Sequence, residues 1–550
     1  MPTVAPCNDN DRGRITTPFP TLNNITVEWA DANGEDSSSR VDLRYRVQGN
    51  GPWATAMPLR RIGGETSAQG RTWTPRHSGS VFGVLAGTAY EIELTRIQAN
   101  GLRNTHCVTV TTRGVPAPME SAPVKTATPA SLTTVLSSAV AGDIIELGTG
   151  TYGSFTVGRG GALGKPLVLR PQAHASVNIS GRIDIAADHV MLTGLTIHGT
   201  VKFNGARHFS FTRNVLQART DGGYAGASEG NGIYSYTRNE NAYIADNVIT
   251  GTTTQWNEAA LGAGGNNRGE GIVLTGPGHV IQNNRVAYFR DNISLLEDGS
   301  AVDQYSIDIL NNDVSFAADD GIEADFCAHN CRIAGNRLTN VFVAISSQPS
   351  LGGPTYMVRN VIYNAVHVAF KLYRSSYGDV LLHNTVVKSG DALGIYAGYT
   401  VGRLYSRNNL FIGGPGGTYG GYSNGTGRVL AVADLDVASA DMDFDALGST
   451  AGSFSARLGP STYNSLAALR GGTLERNAVQ VEPSNTFANA VAIPGAPMSH
   501  YDAPDLRLSS TATVLNAGVV LPNINDGYGG AAPDAGAYEL GAVLPVVGPR

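Results

Sequence analysis

One short phrase recurs down the middle of this chain and narrows the fold more than any other feature. It reads Gly271-Ile272-Val273, then Asn292-Ile293-Ser294, Gly321-Ile322-Glu323, Ala344-Ile345-Ser346, Ala369-Phe370-Lys371 and Gly394-Ile395-Tyr396. Between copies an Asn stands two positions before an apolar residue, at Asn284, Asn312, Asn336, Asn360, Asn384 and Asn409. From Asn312 onward these Asn residues step by 24, 24, 24 and 25. A fixed period of this length marks a solenoid. Within each copy, inward Ile, Val, Leu or Phe alternates with polar residues, and a period of two means strands. The turns are rich in Asn, Gly and Asp, and no three-to-four spacing suggests a helical repeat. Three short strands per repeat make one coil of a right-handed parallel β-helix, whose backbone amides pair with neighbouring coils about 4.8 Å away. The recurring Asn predicts a ladder of stacked side-chain amides inside a bend.

At 550 residues the chain is long for one core, so a solenoid with an appended part is expected. Gly is abundant at 68 residues, and charged residues are 15%, which suits a turn-rich β protein and argues against a coiled coil or disorder. A net charge of −6 argues against a nucleic-acid partner, because phosphate binding wants a basic surface. No apolar run is long enough to span a membrane. The four cysteines fall as Cys7 with Cys107 and Cys327 with Cys331. This placement predicts two disulfides and a secreted or periplasmic location. A metal pair is the alternative for Cys327 and Cys331. The chain begins Met1-Pro2-Thr3 with no signal peptide and reads as a mature form.

Residues 1–114 follow another pattern. Ile25–Trp29, Val41–Val47, Ser80–Leu85, Tyr90–Thr95 and Cys107–Thr112 alternate cleanly between turn clusters, which predicts a small β-sandwich. Trp29, the run from Tyr45 and the phrase Leu85–Tyr90 resemble the core Trp, central strand and tyrosine corner of a fibronectin type III domain. That resemblance implies a spacer or cap, or less often a sugar-binding module. Residues 115–129 are rich in Pro and Ala and read as a linker. The apolar residues Leu132, Val135, Leu136 and Val140 fall on one helical face, so a short helix is expected to seal the open end of the solenoid.

The β-helix is expected over residues 130–415, with irregular coils and a second cap over 416–550. Its opening, from Gly142 to Leu147 and on through Gly150, Tyr152 and Lys165–Arg170, resembles the start of secreted β-helix polysaccharide-active enzymes, as does the closing phrase Ala532–Glu539. Long Gly/Asn/Thr-rich insertions at Arg219–Gly230 and Gly251–Gly269 are expected to wall a groove.

Stacking the coils places Tyr234, Val273, Ser294, Glu323, Ser346, Lys371 and Tyr396 in one outward column. Tyr236, Asp325, Gln348 and Tyr373 stand two residues further on, and Glu270, Asp291 and Asp320 at the turn before it. Asp319 joins them, and Arg268, Arg290, His367 and Arg374 lie near the same corner. Carboxylates stacked about 5 Å apart repel unless a cation or shared protons relieve them. A solvated acidic face is the bland alternative. Two chemistries fit. Carboxylates could hold Ca²⁺ while Lys371 removes a proton beside a uronate carboxylate. Alternatively, Asp291 with Asp320, or Asp320 with Glu270, could serve as acid and base for inverting hydrolysis. Tyr234, Tyr236, Tyr373, Tyr396 and Tyr399 could stack on sugar rings or merely pack. His367 could act as a base or be structural, and His383 reads as structural.

The cluster Asp319-Asp320-Gly321-Ile322-Glu323, with Asp291 before it and Ala369–Leu372 after it, resembles family 9 pectate lyases. That resemblance implies Ca²⁺ held by Asp291, Asp319, Asp320 and Glu323, with Lys371 as base. Glu323 stands where that family has Asp, and an added coil at Val343–Gln348 predicts about 10 Å between the acids and Lys371. The Asp pair also resembles the polygalacturonase-type hydrolases, although their Gly-His-Gly is absent and His329 lies in the cysteine loop. The expectation is a monomeric enzyme that cleaves an acidic polysaccharide, by elimination first and by hydrolysis second. A non-catalytic glycan binder is the third reading.

Overall fold

A computed structural model describes residues 14–31, 38–64, 69–220, 230–251, 256, 262 and 268–550. The chain forms a β-sandwich packed against a parallel β-helix. In the sandwich, strands Ile15–Thr16, Ile25–Ala30 and Arg76–Val81 form one layer, and Arg40–Val47, Ala89–Ile97 and Arg103–Thr111 form the other. Ala54–Ile62 pairs with both layers. That strand escaped the sequence reading, and the strand expected at Ser80–Leu85 lies earlier, at Arg76–Val81. Trp29 is fully buried in this core with Val27, Leu43 and Ile92. The Leu85 amide donates to Tyr90 Oη at 2.8 Å and ties the corner before strand Ala89–Ile97.

The sandwich docks through a buried polar junction. Arg332, on a solenoid strand, is fully buried and donates Nε to Asp308 Oδ1 at 2.5 Å. Its Nη1 donates to Thr26 Oγ1 and Ser80 Oγ of the sandwich, both at 3.0 Å. Asp308 Oδ2 also accepts from Thr21 and Asn24. Buried charge demands such pairing, so the junction fixes one docking position. Val124–Ala127, within the segment read as a linker, is a strand that pairs with Ile144–Leu147 and extends the solenoid by one rung. The expected cap helix is shorter than its pattern suggested. It spans Leu132–Ser137 and buries Leu132 and Leu136, while Val140 is exposed.

Each central coil has three strands. One face holds Val280–Gln282, Asp308–Leu310, Cys331–Ala334, Leu351–Val358 and Tyr377–Leu382. A sharp turn at the ladder Asn leads to the second face, and a bend to the third. In three coils the second and third faces merge into the continuous strands Asp313–Glu323, Arg337–Ser347 and Val361–Leu372, with register shifts at the bends. The expected Asn ladder is present. Asn214, Asn247, Asn284, Asn312, Asn336, Asn360 and Asn384 each donate Nδ2 to Oδ1 of the next Asn at 2.8–3.2 Å, ending on Asn409. Asn409 donates to Asp445 Oδ1, which ends the row. Each rung also binds backbone: Asn360 Nδ2 reaches Ile333 O, and its own Oδ1 accepts the Asn336 amide.

The C-terminal segment does not simply cap the end. The solenoid continues past Phe411 through Leu430–Val432, Asp441–Asp443, Ala446–Ser449 and Ala456–Leu458. The last sixty or so residues then run back along its flank. Phe487, Leu506, Val514 and Ala535 cover Val361, Leu410 and Ile412, and Arg550 pairs with Asp246 at 2.8 Å. Cys327 and Cys331 form a disulfide, which removes the metal-pair alternative. The pairing expected for Cys107 with Cys7 lies outside the described residues, because Cys7 does. Among the described residues no helix is long and apolar enough to cross a membrane.

The Asn360→Ala substitution removes two donors and an acceptor from the middle of the ladder. It should cost at least about 2 kcal/mol, since each buried partner left unsatisfied costs about 1–3 kcal/mol. An unchanged denaturant midpoint would show that the ladder contributes nothing to stability.

Candidate functional site

The third face carries the acidic cluster, and backbone register aligns it. Tyr234 pairs with Val273, Val273 with Ser294, Ser294 with Glu323, Glu323 with Ser346 and Ser346 with Lys371, the order in which the sequence stacks them. One column over, Glu270 pairs with Asp291, and Asp320 with Val343 and then Val368.

A cavity of about 280 Å³ opens on this face. Asp319, Glu323 and Glu297 line it with Lys371, Arg290 and Arg374, and Phe342, His367, Tyr373 and Tyr422 form its aromatic side. Behind the lining, Asp291, Asp320 and Asp325 are buried at 0–1% exposure. An intervening coil does separate Lys371 from the acids, yet the expected gap of about 10 Å is not found. The strand holds Lys371 beside Ser346, but its long side chain reaches diagonally over that coil, and Nζ donates to Asp320 Oδ2 at 2.6 Å.

The remaining anchors are specific. Asp291 accepts from Arg290 Nε at 2.8 Å and from the Asp320 backbone amide at 2.9 Å. Ser294 donates to Glu323 Oε2, and Ser346 with the Gln348 amide donates to Asp325 Oδ1. Asp320 Oδ1 is buried without a partner. Arg374 sits between Glu297 and Asp298 at 3.3 and 3.2 Å. Arg71 of the sandwich binds the Asp298 carbonyl, so the appended module steadies the loop that carries Glu297.

Buried carboxylates outnumber the cations that face them, and burial with mutual repulsion raises their pKa values. Burial pushes the Asp319 carboxyl up from the usual 3.8 to about 8, and Asp320 and Asp291 add to the push. Burial likewise lifts Asp320 to about 7 against the pull of Lys371, and lifts Asp325 to about 7. Glu323 is raised well above its ordinary value by burial and by Asp291 and Asp325. For Lys371 burial acts downward, but Asp320 and the other acids outweigh it and hold the ammonium charged. Burial lowers His367 to about 4. Its Nδ1 lies 2.9 Å from the Ser423 carbonyl, and its ring stacks on Phe342. These contacts support a neutral ring that holds the Tyr422 segment in place.

The four residues expected to share one cation divide into two sets. One oxygen each of Asp291, Asp319 and Asp320 lie within 4.8 Å of one another, and Glu323 groups instead with Glu297 and Asp325. Of the expected sugar contacts, Tyr373 lines the cavity, while Tyr234, Tyr236, Tyr396, Arg268, Asp325 and Glu270 do not. Tyr234 is buried against Tyr236, and Tyr236 accepts from Asn231. Tyr396 donates to Asp391 at 2.8 Å. Arg268 is exposed, and Glu270 lies 4.0 Å from Arg290. The expected walls at 221–229, 252–255, 257–261 and 263–267 lie outside the described residues. Trp256 is nevertheless buried against Val343, Val366 and Val368, and Gly262 reaches the cavity. Sequence reasoning missed Glu297, Phe342 and Tyr422. Glu297 follows the repeat by one turn, and Tyr422 sits in a Gly-rich excursion with no period to place it.

No family model matches this chain, and no curated protein matches it. Among solved structures, it is similar to a family 28 exopolygalacturonase of Yersinia enterocolitica at 10% identity and a TM-score of 0.27, covering 81% of this chain and 96% of that one. It is also similar to a PL6 family alginate lyase at 12% identity and a TM-score of 0.33, covering 62% of this chain and 55% of that one. The chain thus matches about half of the lyase's length.

Asp319 provides a test of the charge balance. Its raised pKa means that the native chain holds a proton between pH 3.8 and about 8 that the unfolded chain releases, so its contribution to stability falls as pH rises through that window. In chelator, the Asp319→Asn variant should gain more than about 1 kcal/mol relative to the unaltered chain across it. A constant difference in melting behaviour would mean that Asp319 is ionised throughout.

Proposed function

We propose that this chain cleaves a uronic-acid-containing polysaccharide by β-elimination on the third face of the solenoid. The observation that carries this reading is a partly exposed lysine, Lys371, that lines a cavity and whose ammonium is held by a buried carboxylate. In elimination, Lys371 Nζ takes the proton on the carbon beside the uronate carboxylate. The electron pair forms a carbon–carbon double bond, the glycosidic C–O bond breaks, and the departing oxygen takes a proton from water. Lys371 must first lose its own proton, which Asp320 now holds in place.

Asp291, Asp319 and Asp320 fit a hard divalent cation. They offer oxygens within 4.8 Å of one another, and the orphaned Asp320 Oδ1 lacks a partner. Such an ion supplies positive charge that competes with Lys371 for Asp320 and offsets the charge of the substrate. Arg290 and Arg374, at the cavity wall, suit substrate carboxylates through paired N–H donors. Tyr373 and Tyr422 line the cavity and are suited to contact with sugar. The sandwich, with its buried Trp29 and tied Tyr90, is similar in these features to a fibronectin type III module and serves here as a brace.

Hydrolysis is the second reading, favoured by the proton that Asp319 keeps near neutral pH at the cavity wall. The pair Asp291 and Asp320 is ill suited to an inverting reaction. Their oxygens lie within 4.8 Å, whereas inversion needs about 6.5–9.5 Å to admit water.

The test is incubation with polyuronates and neutral glycans, following ultraviolet absorbance of unsaturated ends together with new reducing ends. Both should rise on a polyuronate and fail in chelator. The Lys371→Ala variant should lose at least about a hundredfold in rate, as expected for a proton-transfer group. Reducing ends without absorbance would replace elimination with hydrolysis, and neither signal would leave a binding protein.

A further inference from the structure

We infer that Glu297, Glu323 and Asp325 form a second divalent-cation site, separate from the Asp291, Asp319 and Asp320 set. One carboxylate oxygen of each lies within 4.8 Å of the others. Oxygen ligands of Ca²⁺ stand about 2.3–2.6 Å from the ion, so opposite ligands are roughly 5 Å apart. The spacing therefore matches a shared ion.

Proximity of acids alone would be weak ground, but a second observation points the same way. Asp325 is fully buried, and its Oδ2 has no hydrogen-bond partner. Its Oδ1 is committed to Ser346 Oγ at 2.6 Å and to the Gln348 amide at 2.9 Å. A buried, partnerless carboxylate oxygen is costly unless a ligand completes it. Beside it, Gln304 donates Nε2 to the Asp325 carbonyl at 2.7 Å, and its own Oε1 is also buried without a partner. The other two members are likewise anchored at one oxygen. Glu323 Oε2 accepts from Ser294 at 2.5 Å, and Glu297 Oε2 lies 3.3 Å from Arg374. Arg374 is the one cation within salt-bridge distance of this trio among the described residues, and Lys371 acts on Asp325 only from farther off.

The ligand class follows from the donors. All are oxygens, with no His or Cys among them, which selects a hard ion such as Ca²⁺ over zinc or copper. Access is through the cavity, since Glu297 and Glu323 line it and Glu297 is about a third exposed. The two sites differ in their counter-charge. Lys371 already partners Asp320 in the first set, while no lysine lies within salt-bridge distance of the second among the described residues. The second site therefore stands independently of the elimination chemistry.

The experiment is calorimetric titration of the full chain with Ca²⁺ after chelator treatment, with the number of bound ions checked by equilibrium dialysis. The unaltered chain should bind two ions. Glu297→Gln, which changes a partly exposed loop residue, should remove one and leave the other. Asp291→Asn should show the reverse loss. Circular dichroism and melting of each variant confirm that it is folded. If the unaltered chain binds a single ion and Glu297→Gln abolishes it, the inference stands and the first set relies on Lys371 instead. If Glu297→Gln binds as many ions as the unaltered chain, or the unaltered chain binds none, the second site is overturned. Two bound ions with no unsaturated product would sink the proposed elimination and leave this site intact.

Discussion

The structure depends on the buried row of asparagine amides. A stack of parallel coils can slip, because backbone pairing between strands is nearly the same at every register. The Asn row removes that freedom. Each amide must meet the next, and each also closes a turn by binding backbone from the coil before it. The residue ahead of each rung takes a left-handed conformation, as at Asn311, Gly335 and Arg359, so the chain turns sharply with the Asn aimed inward. A slip of one residue would bury unpaired amides across several coils at once. The row therefore helps set the register of the coils from Asn214 to Asp445, including their third face.

That register is what makes the acidic site possible. Glu323, Ser346 and Lys371 occupy one column because their coils cannot slide. Inward Ile322, Ile345 and Phe370 alternate with them and fill the core at 0% exposure. The same rigidity explains why the carboxylates endure their mutual repulsion. Burial first, and the neighbouring acids after it, raise the Asp319 carboxyl, while the acids together hold Lys371 charged. The sandwich adds to this rigidity from outside, through the buried Arg332 junction and the Arg71 contact to the Asp298 loop. Its position makes it part of the scaffold of the site.

The sequence carried the solenoid, its period, its Asn ladder and the order of residues in the outward column, because all four are local periodicities of side-chain polarity. It also carried a β-sandwich at the N-terminus, with Trp29 and Tyr90 in its core. Three things were decided only by tertiary structure. A long side chain can cross a coil, so Lys371 meets Asp320 although the backbone spacing kept them apart. Acids that are neighbours in a column divide by the direction of their side chains, so Glu323 joins Glu297 and not Asp291. Segments outside the repeat, with Tyr422 and the returning C-terminal residues, are placed by packing against the flank and have no period to betray them. Periodicity is a property of the chain and can be read along it. Reach, orientation and long-range docking depend on the surfaces that folding brings together, and only the folded molecule holds them.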